Sequence, residues 1–508
     1  MFCFNIKSLI NKERLKVVAI SVFLICMFAH GFVFFNEQLS HDSITLMYNT
    51  DSATMISGGR FLRPLYNMLK GYFCYPTLNG LLSVVYLIVI TYFVVDIFNI
   101  KNKLIIVLIS AVLSTNYSVS LIYATYMHDC DAYMFSLLLA TLGIWVYIKL
   151  KYGAIMSLVL FVASMAIYQS YIQFSIFVFL VYLIIDSINN GFNTDNIKKL
   201  LLFGITIAAS MALYYICFKA ALYLTGITAS GSYQSPSKVV ELSSNSILER
   251  FQAFKESIYK WFILPRGNHR NWVAMVNKLV LAIDLLLVVY IFLKQKCNFV
   301  NIVFIVALII MCPIGMNAIT IVSNVYHDLT IYSFHFLYIT PLILISNLDI
   351  SNNIAMKSCF AIACLLLSVL VYDNCLYSNE IYLKKNLESK TTLMTITRII
   401  DRIEQTEGYV FGDTPVAIIG TLNASDYGIR REGFDYTGTG LSNVFSVSYA
   451  GAYNAYIEEY LNYPINIIKD DEILVNLDND NRVKEMPTFP AKKSIDFVDD
   501  ILVVKLCN

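Results

Sequence analysis

Histidine stands directly before aspartate three times in a chain with only six histidines, as His41-Asp42, His128-Asp129 and His327-Asp328. A well-placed carboxylate accepts a proton from a hydroxyl and turns it into a nucleophile. Each pair falls in a gap between long apolar runs. If those gaps open on one side of a membrane, the three pairs form a single ionisable cluster.

The residues around each pair set the chemistry on offer and its alternatives. The first gap places Glu37, His41, Asp42 and Asp51 ahead of Gly58, Gly59, Arg60 and Arg63. Asp42 is the candidate general base, and Arg60 is a candidate phosphate ligand through paired hydrogen bonds. The same residues also fit a solvated loop whose Gly-Gly makes a turn, with Arg60 on lipid headgroups. In His128-Asp129-Cys130-Asp131 the two carboxylates are spaced to face one cavity, where they would orient a substrate or hold a divalent ion. Capping of the following helix explains them equally well. His327-Asp328 also precedes an apolar run and admits the capping reading. No pair has the i, i+4 spacing of a dedicated ligand set, so no metal is assigned.

Other cations are few. The stretch Trp261 to Trp272 carries Arg266, His269 and Arg270 between tryptophans, a composition suited to a sugar and phosphate site or to a membrane-skimming helix. Lys219 lies inside an apolar run, where it either snorkels or meets a lipid phosphate. Asp284 is an isolated intramembrane acid.

These groups must be positioned by membrane helices. Of the 508 residues 57% are hydrophobic and 14% charged, with a mean hydropathy of +0.62. The apolar runs reach the roughly 20 residues that cross a bilayer. Eleven spans are expected, near 16–35, 79–99, 104–124, 131–149, 153–168, 170–186, 199–225, 274–293, 299–323, 331–347 and 354–373. Short basic gaps stay in the cytoplasm. Lys12 and Arg14, Lys101 and Lys103, Lys149 and Lys151, Lys198 and Lys199, Lys294 and Lys296, and Lys357 occupy alternate gaps, whereas 125–130, 168–170 and 324–330 hold no lysine or arginine. The amino terminus is therefore expected inside, and all three His-Asp pairs outside. The outer turn Tyr168-Gln169-Ser170-Tyr171 joins them.

An odd number of spans also exports the tail. Residues 374–508 hold 20 of the 36 acidic and 13 of the 37 basic residues, unlike the basic membrane part. Val416 to Gly420 and Ile501 to Leu506 read as strands, and Thr391 to Glu407 as an amphipathic helix. The expected architecture is an α-helical polytopic membrane domain, 1–373, followed by a small extracytoplasmic α/β domain, 374–508. The 11 cysteines show no zinc or CxxC spacing, and no glycine-rich nucleotide loop is present, which argues against an ATP-driven pump.

The motif Ser40-His41-Asp42-Ser43 followed by Gly59-Arg60-Phe61-Leu62, with a second acidic outer gap, resembles the serotype-converting glucosyltransferase II family that decorates O-antigens. That family is similar to the GT-C class of polytopic glycosyltransferases, and the likeness covers roughly residues 16–373. Where the family has Asp-Asp this chain has His41-Asp42, which leaves Asp42 as the carboxylate to carry over. The resemblance implies transfer of a hexose, expected to be glucose, from an undecaprenyl-phosphate carrier to lipopolysaccharide O-antigen at the periplasmic face of the bacterial inner membrane. Asp129 and Asp131 would assist Asp42. Arg60 with one of Lys219, Arg266 or Arg270 would stabilise the phosphate leaving group. Tyr168, Gln169, His327 and Asp328 would line the acceptor cavity. Exported tyrosines such as Tyr449, Tyr453 and Tyr456 would grip the glycan, unless the tail is simply a lid. The implied donor needs no nucleotide site, and a divalent cation is left open.

A lipid-linked sugar flippase is the rival reading. It predicts polar groups at the bilayer midplane and internal symmetry between halves. Only Asp284 lies deep, and no repeat is visible. An O-antigen polymerase shares the topology but calls for a large arginine-rich outer loop, and residues 226–273 make only a modest one.

Overall fold

The computed structural model describes residues 10–40, 43–46, 52–71, 74–230, 236, 244–264, 271–295, 298–323, 326–347, 354–422 and 451–506. Its apolar runs are helices because backbone groups in hydrocarbon must bond within their own segment. Among the described residues nine helices are long and apolar enough to cross a membrane. Two shorter apolar stretches, Gly153–Ile167 and Tyr332–Ser346, stand where two further spans are expected.

In chain order the helices are α1 (Lys12–Phe35), α2 (Ser52–Ser57), α3 (Arg63–Lys70), α4 (Pro76–Ile97), α5 (Lys103–Thr115), α6 (Tyr117–Thr125) and α7 (Cys130–Lys149). Then come α8 (Gly153–Ile167), α9 (Ile172–Asn190), α10 (Thr194–Thr225), α11 (Ser244–Phe262), α12 (Asn271–Gln295), α13 (Phe299–Met316) and α14 (Ile354–Glu404). The span expected at 104–124 is two helices. Asn116 is extended between them, its Nδ2 donating to the Leu113 carbonyl at 2.9 Å and its Oδ1 accepting from Val119 N at 3.2 Å. One side chain thus satisfies backbone groups on both sides of the break.

Contacts between helix ends fix which gaps share an end of the bundle. Arg14 of α1 pairs with Asp96 of α4 at 2.7 Å, and Asp96 also accepts from Trp145 of α7 at 2.9 Å. At the opposite ends of these helices, Ser40 Oγ donates to the Thr125 carbonyl at 2.5 Å and Thr77 Oγ1 to the Phe34 carbonyl at 2.7 Å. The lysine-free gaps gather at that second end. Gln169 reaches Gly58, Lys70 reaches His128, and Gln173 donates to Thr330.

The span expected at 354–373 and the amphipathic helix expected at 391–407 are parts of one helix, α14, of 51 residues. At 1.5 Å per residue it is about 75 Å long, far more than a bilayer core. Its middle packs on the bundle through Ser378–Ser120 (2.6 Å) and Tyr382–His30 (2.7 Å), and holds a buried Lys385–Glu388 ion pair at 3.1 Å. Its last turns place Ile396, Ile399 and Ile403 in the core of a C-terminal module. There β1 (Val416–Ile419) runs parallel to β3 (Ile501–Lys505), which pairs antiparallel with β2 (Ile495–Val498). Leu39 and Ile44, from the first gap, are buried in the same core. Tyr453 and Tyr456, expected to grip a glycan, are buried there too, at 0% and 1% exposure. They stabilise the module and present no ring to a ligand; Tyr449 lies outside the described residues.

Candidate active site

Gly58-Gly59-Arg60 forms a turn locked onto the bundle. Gly59 has a φ of +86°, and a Cβ there would meet the Tyr214 hydroxyl at 2.4 Å and Gln169 Nε2 at 2.9 Å. Only glycine permits so close an approach in that conformation. Gln169 Nε2 donates to the Gly58 carbonyl and Tyr214 Oη to the Gly59 carbonyl, both at 2.9 Å, while Leu62 N donates to the Ala166 carbonyl at 2.9 Å. Arg60 follows, its guanidinium 5.3 Å from the centre of the Tyr168 ring. Tyr168 and Gln169 therefore position the arginine turn, one by stacking and the other by hydrogen bonding.

From this turn α3 starts with Pro64 in its first turn, where a missing N–H costs nothing, and ends at Gly71 in the left-handed conformation. Arg63, Tyr66, Asn67 and Lys70 recur at helical spacing, so α3 presents them along one face. That face meets Asp129-Cys130-Asp131. Arg63 forms an ion pair with Asp129 and lies 4.9 Å over the Tyr133 ring. Lys70 Nζ is 2.9 Å from Asp131 and 2.6 Å from the His128 carbonyl oxygen, and Tyr66 Oη donates to Asp131 at 2.9 Å. His128 Nε2 is 3.0 Å from the Asp129 carboxylate. Both carboxylates are buried, at 1% and 0% exposure. Each carboxylate is thus held against a cation, Asp129 by Arg63 and Asp131 by Lys70. Burial and the neighbouring Asp131 carboxylate push the Tyr66 hydroxyl well above its ordinary range, which keeps it a donor. Asp129 occupies the N-cap position of α7, but its side chain makes no capping bond.

The third pair is built differently. His327 caps a single 3-10 turn, its Nδ1 accepting from Leu329 N at 3.2 Å. Burial pushes its pKa below the usual 6.5, against the opposing pull of Asp328. The Asp328 carboxylate accepts from Tyr326 at 2.6 Å and from Tyr117 at 3.4 Å. Hydroxyls hold this carboxylate in place of ammonium or guanidinium groups. Gln169 bonds Gly58 of the arginine turn and Gln173, one turn later, donates to Thr330 beside the third pair, so the third gap and the arginine turn share one polar region.

Of the remaining candidates, Lys219 is exposed on α10 with its Nζ 5.5 Å from the Tyr215 ring, and is not gathered into this region by any described contact. His41 and Asp42 lie outside the described residues, as do Arg266, His269 and Arg270. Their neighbours are well anchored: Ser40 N donates to Ser43 Oγ at 2.6 Å, and Leu39 N donates to Ser389 of α14 at 3.1 Å. Among the described residues no three His, Cys, Asp or Glu side chains converge as a metal-binding group.

Fold and polar region together define a membrane protein whose lysine-free gaps, with the second and third His-Asp pairs, meet at one end of a helical bundle. The family model for glucosyl transferase GtrII matches residues 31–346, and the chain belongs to that family. Membership makes it a glycosyltransferase, with a sugar donor and a polysaccharide acceptor. No curated protein and no solved structure matches it.

The match begins before the first His-Asp pair and ends before α14. Tyr66 and Lys70 are absent from the expected site, although Arg63 to Lys70, two helical turns, carries cations that answer the two acids of the second gap. Tyr117, Tyr326 and Lys260 are absent too. Their side chains give no motif, and only folding brings Tyr117 to Asp328.

Proposed function

We propose that the protein transfers a single hexose, glucose, from a polyprenyl-phosphate carrier to a hydroxyl of a surface polysaccharide. The reaction runs at the end of the bundle bearing the C-terminal module, which faces the periplasm, with the amino terminus in the cytoplasm. The carrying observation is the convergence of the Arg60 turn, the Tyr168-Gln169 turn and the Tyr326-His327-Asp328 turn at one bundle end, beside the anchored Ser40 and Ser43.

In this reading Asp42 takes the proton of the acceptor hydroxyl as its oxygen bonds to the anomeric carbon. The bond from that carbon to the phosphate oxygen breaks, and its electron pair leaves with the phosphate. Arg60 meets the charge that collects there, with Lys219, Arg266 or Arg270 as the second cation. Asp129 and Asp131 act through Arg63 and Lys70 as positioning residues: they hold α3, and α3 holds the arginine turn. The lipid tail lies among the spans, so no nucleotide-binding loop is required.

The test is Asp42→Asn in the native host, with the surface glycan analysed by mass spectrometry. Loss of one hexose branch with chain length preserved is the expected result. An unchanged glycan removes Asp42 as the base, and loss of the whole polymer points to polymerisation or transport.

A further inference from the structure

Helix α3 is amphipathic in the reverse sense of a water-facing helix. On a soluble surface the apolar stripe turns to the core and the charges turn to water. Here Arg63 and Lys70 are turned inward, paired with Asp129 and Asp131, and Asn67 on the same face is buried. The opposite face carries Leu65, Met68 and Leu69, which are 55%, 57% and 80% exposed. A contiguous apolar face left outward marks a contact with another apolar body.

The hydrogen bonds of α3 show where that face lies. Leu62 N donates to the Ala166 carbonyl at the end of α8, and Lys70 Nζ to the His128 carbonyl at the start of α7. Both are helix ends at one end of the bundle, so α3, about 12 Å long at 1.5 Å per residue, runs across that end. Tyr66 fixes its height. The Tyr66 Oη is 3.2 Å from Tyr86 Oη, and the ring stacks 5.2 Å from Phe135 of α7. Tyr86 stands about 15 Å along α4 from Pro76, so the contact holds α3 no higher than the start of that span. Beside Tyr86, Leu78, Leu81 and Val85 form an exposed stripe of α4, the side of a span that meets hydrocarbon. The outward face of α3 adjoins it.

We propose that α3 is an interfacial helix, seated through Leu65, Met68 and Leu69 in the acyl chains of the lipid leaflet at the site's end of the bundle. Continuity with the exposed stripe of α4 selects bilayer lipid as the occupant, and the inward ion pairs leave the helix no charged face to offer to water. A helix seated this way lies at the boundary of headgroups and acyl chains. Arg60 stands three residues before α3, in the turn that α3 holds. On the reading given above, the leaflet thereby sets Arg60 at the depth of lipid phosphates, and a donor carried by the bilayer presents its phosphate there with its tail still among the acyl chains.

Depth-dependent quenching reads the contact. Full-length Leu69→Trp protein is reconstituted in phosphatidylcholine vesicles with and without bromine high on the acyl chain. The wild type supplies the emission of the three native tryptophans for subtraction, and Val475→Trp, exposed on the C-terminal module, is the aqueous control. Bromolipid should quench Leu69→Trp strongly and aqueous acrylamide far less, with the reverse at Val475→Trp. Quenching of Leu69→Trp by acrylamide and not by bromolipid overturns the proposal. Shielding from both quenchers assigns the face to a protein surface, a second copy included, and overturns it too. Relief of bromolipid quenching by added long-chain prenyl phosphate assigns the face to the donor's tail and overturns bilayer lipid as the occupant. Leu69→Glu tests the consequence for Arg60. Transfer from a vesicle-borne donor should fall about tenfold, while transfer from a short-chain donor in detergent changes far less. Gel filtration and melting show whether the variant remains folded. Equal losses with both donors overturn the setting of Arg60 by the leaflet. The expected quenching in a protein that transfers no sugar supports the interfacial helix and overturns the transferase reading instead.

Discussion

The second and third His-Asp pairs are the same dipeptide in opposite surroundings. Asp129 is buried against Arg63, with Asp131 beside it answered by Lys70. Asp328 is only half-buried and faces two tyrosine hydroxyls. A carboxylate neutralised by a fixed cation has its charge spent on structure, whereas one held by neutral donors keeps a negative potential that a ligand can feel. The role of an acid is set by its partner, and the partner sits 66 residues away for Asp129 but two residues away for Asp328.

The contrast is broken most severely by Asp129→Asn, which leaves the Arg63 guanidinium buried without its anion. Removing one partner of a buried pair costs about 3–5 kcal/mol, so the melting temperature in detergent and the transfer rate should fall together. Substituting Met at both Arg63 and Asp129 should recover much of the stability without recovering activity, if the pair serves only to set α3. Next in size is Gly59→Ala: a positive φ and a 2.4 Å contact with Tyr214 put the cost at about 1–3 kcal/mol, and the loss in rate should exceed what the melting shift explains. Asp328→Asn should reverse the pattern. An amide oxygen still accepts from Tyr326, so stability should change by less than about 1 kcal/mol while the transfer rate falls about tenfold.

The smallest effect concerns His327. Its pKa is lowered in the folded protein, so folding favours the neutral ring. Above pH 6.5 the ring is neutral in both states and costs nothing. As the pH falls below 6.5 the unfolded chain takes up the proton first, and stability is lost until the folded pKa is passed. Melting curves between pH 8 and pH 5 should show a drop in the wild type that is shallower in His327→Asn. Equal slopes would remove His327 as the titrating group.

The membrane helices and the end at which the polar gaps meet were legible because hydropathy and lysine placement report burial and side directly. Two features were not. Hydropathy falls near Asp373, Asn374, Lys384, Lys385 and Glu388, which suggests the end of a span, yet α14 continues through them. Helical hydrogen bonds do not require apolar side chains, and these polar groups are buried against the bundle and one another. The docking of α3 was hidden for a different reason. Arg63 and Lys70 look like interfacial cations until the fold brings them to acids that lie two gaps away.

Leu39 and Ile44 share one apolar core with the end of α14 and the small sheet, although they lie inside the family match and the sheet lies beyond it. The C-terminal module is thus no detachable appendage that relatives could trade as a cassette. A graft that replaced the sheet alone would meet Leu39 and Ile44 with a foreign socket, so these two residues and the described core of the module have to fit one another. Divergence on one side of that seam has to be matched on the other.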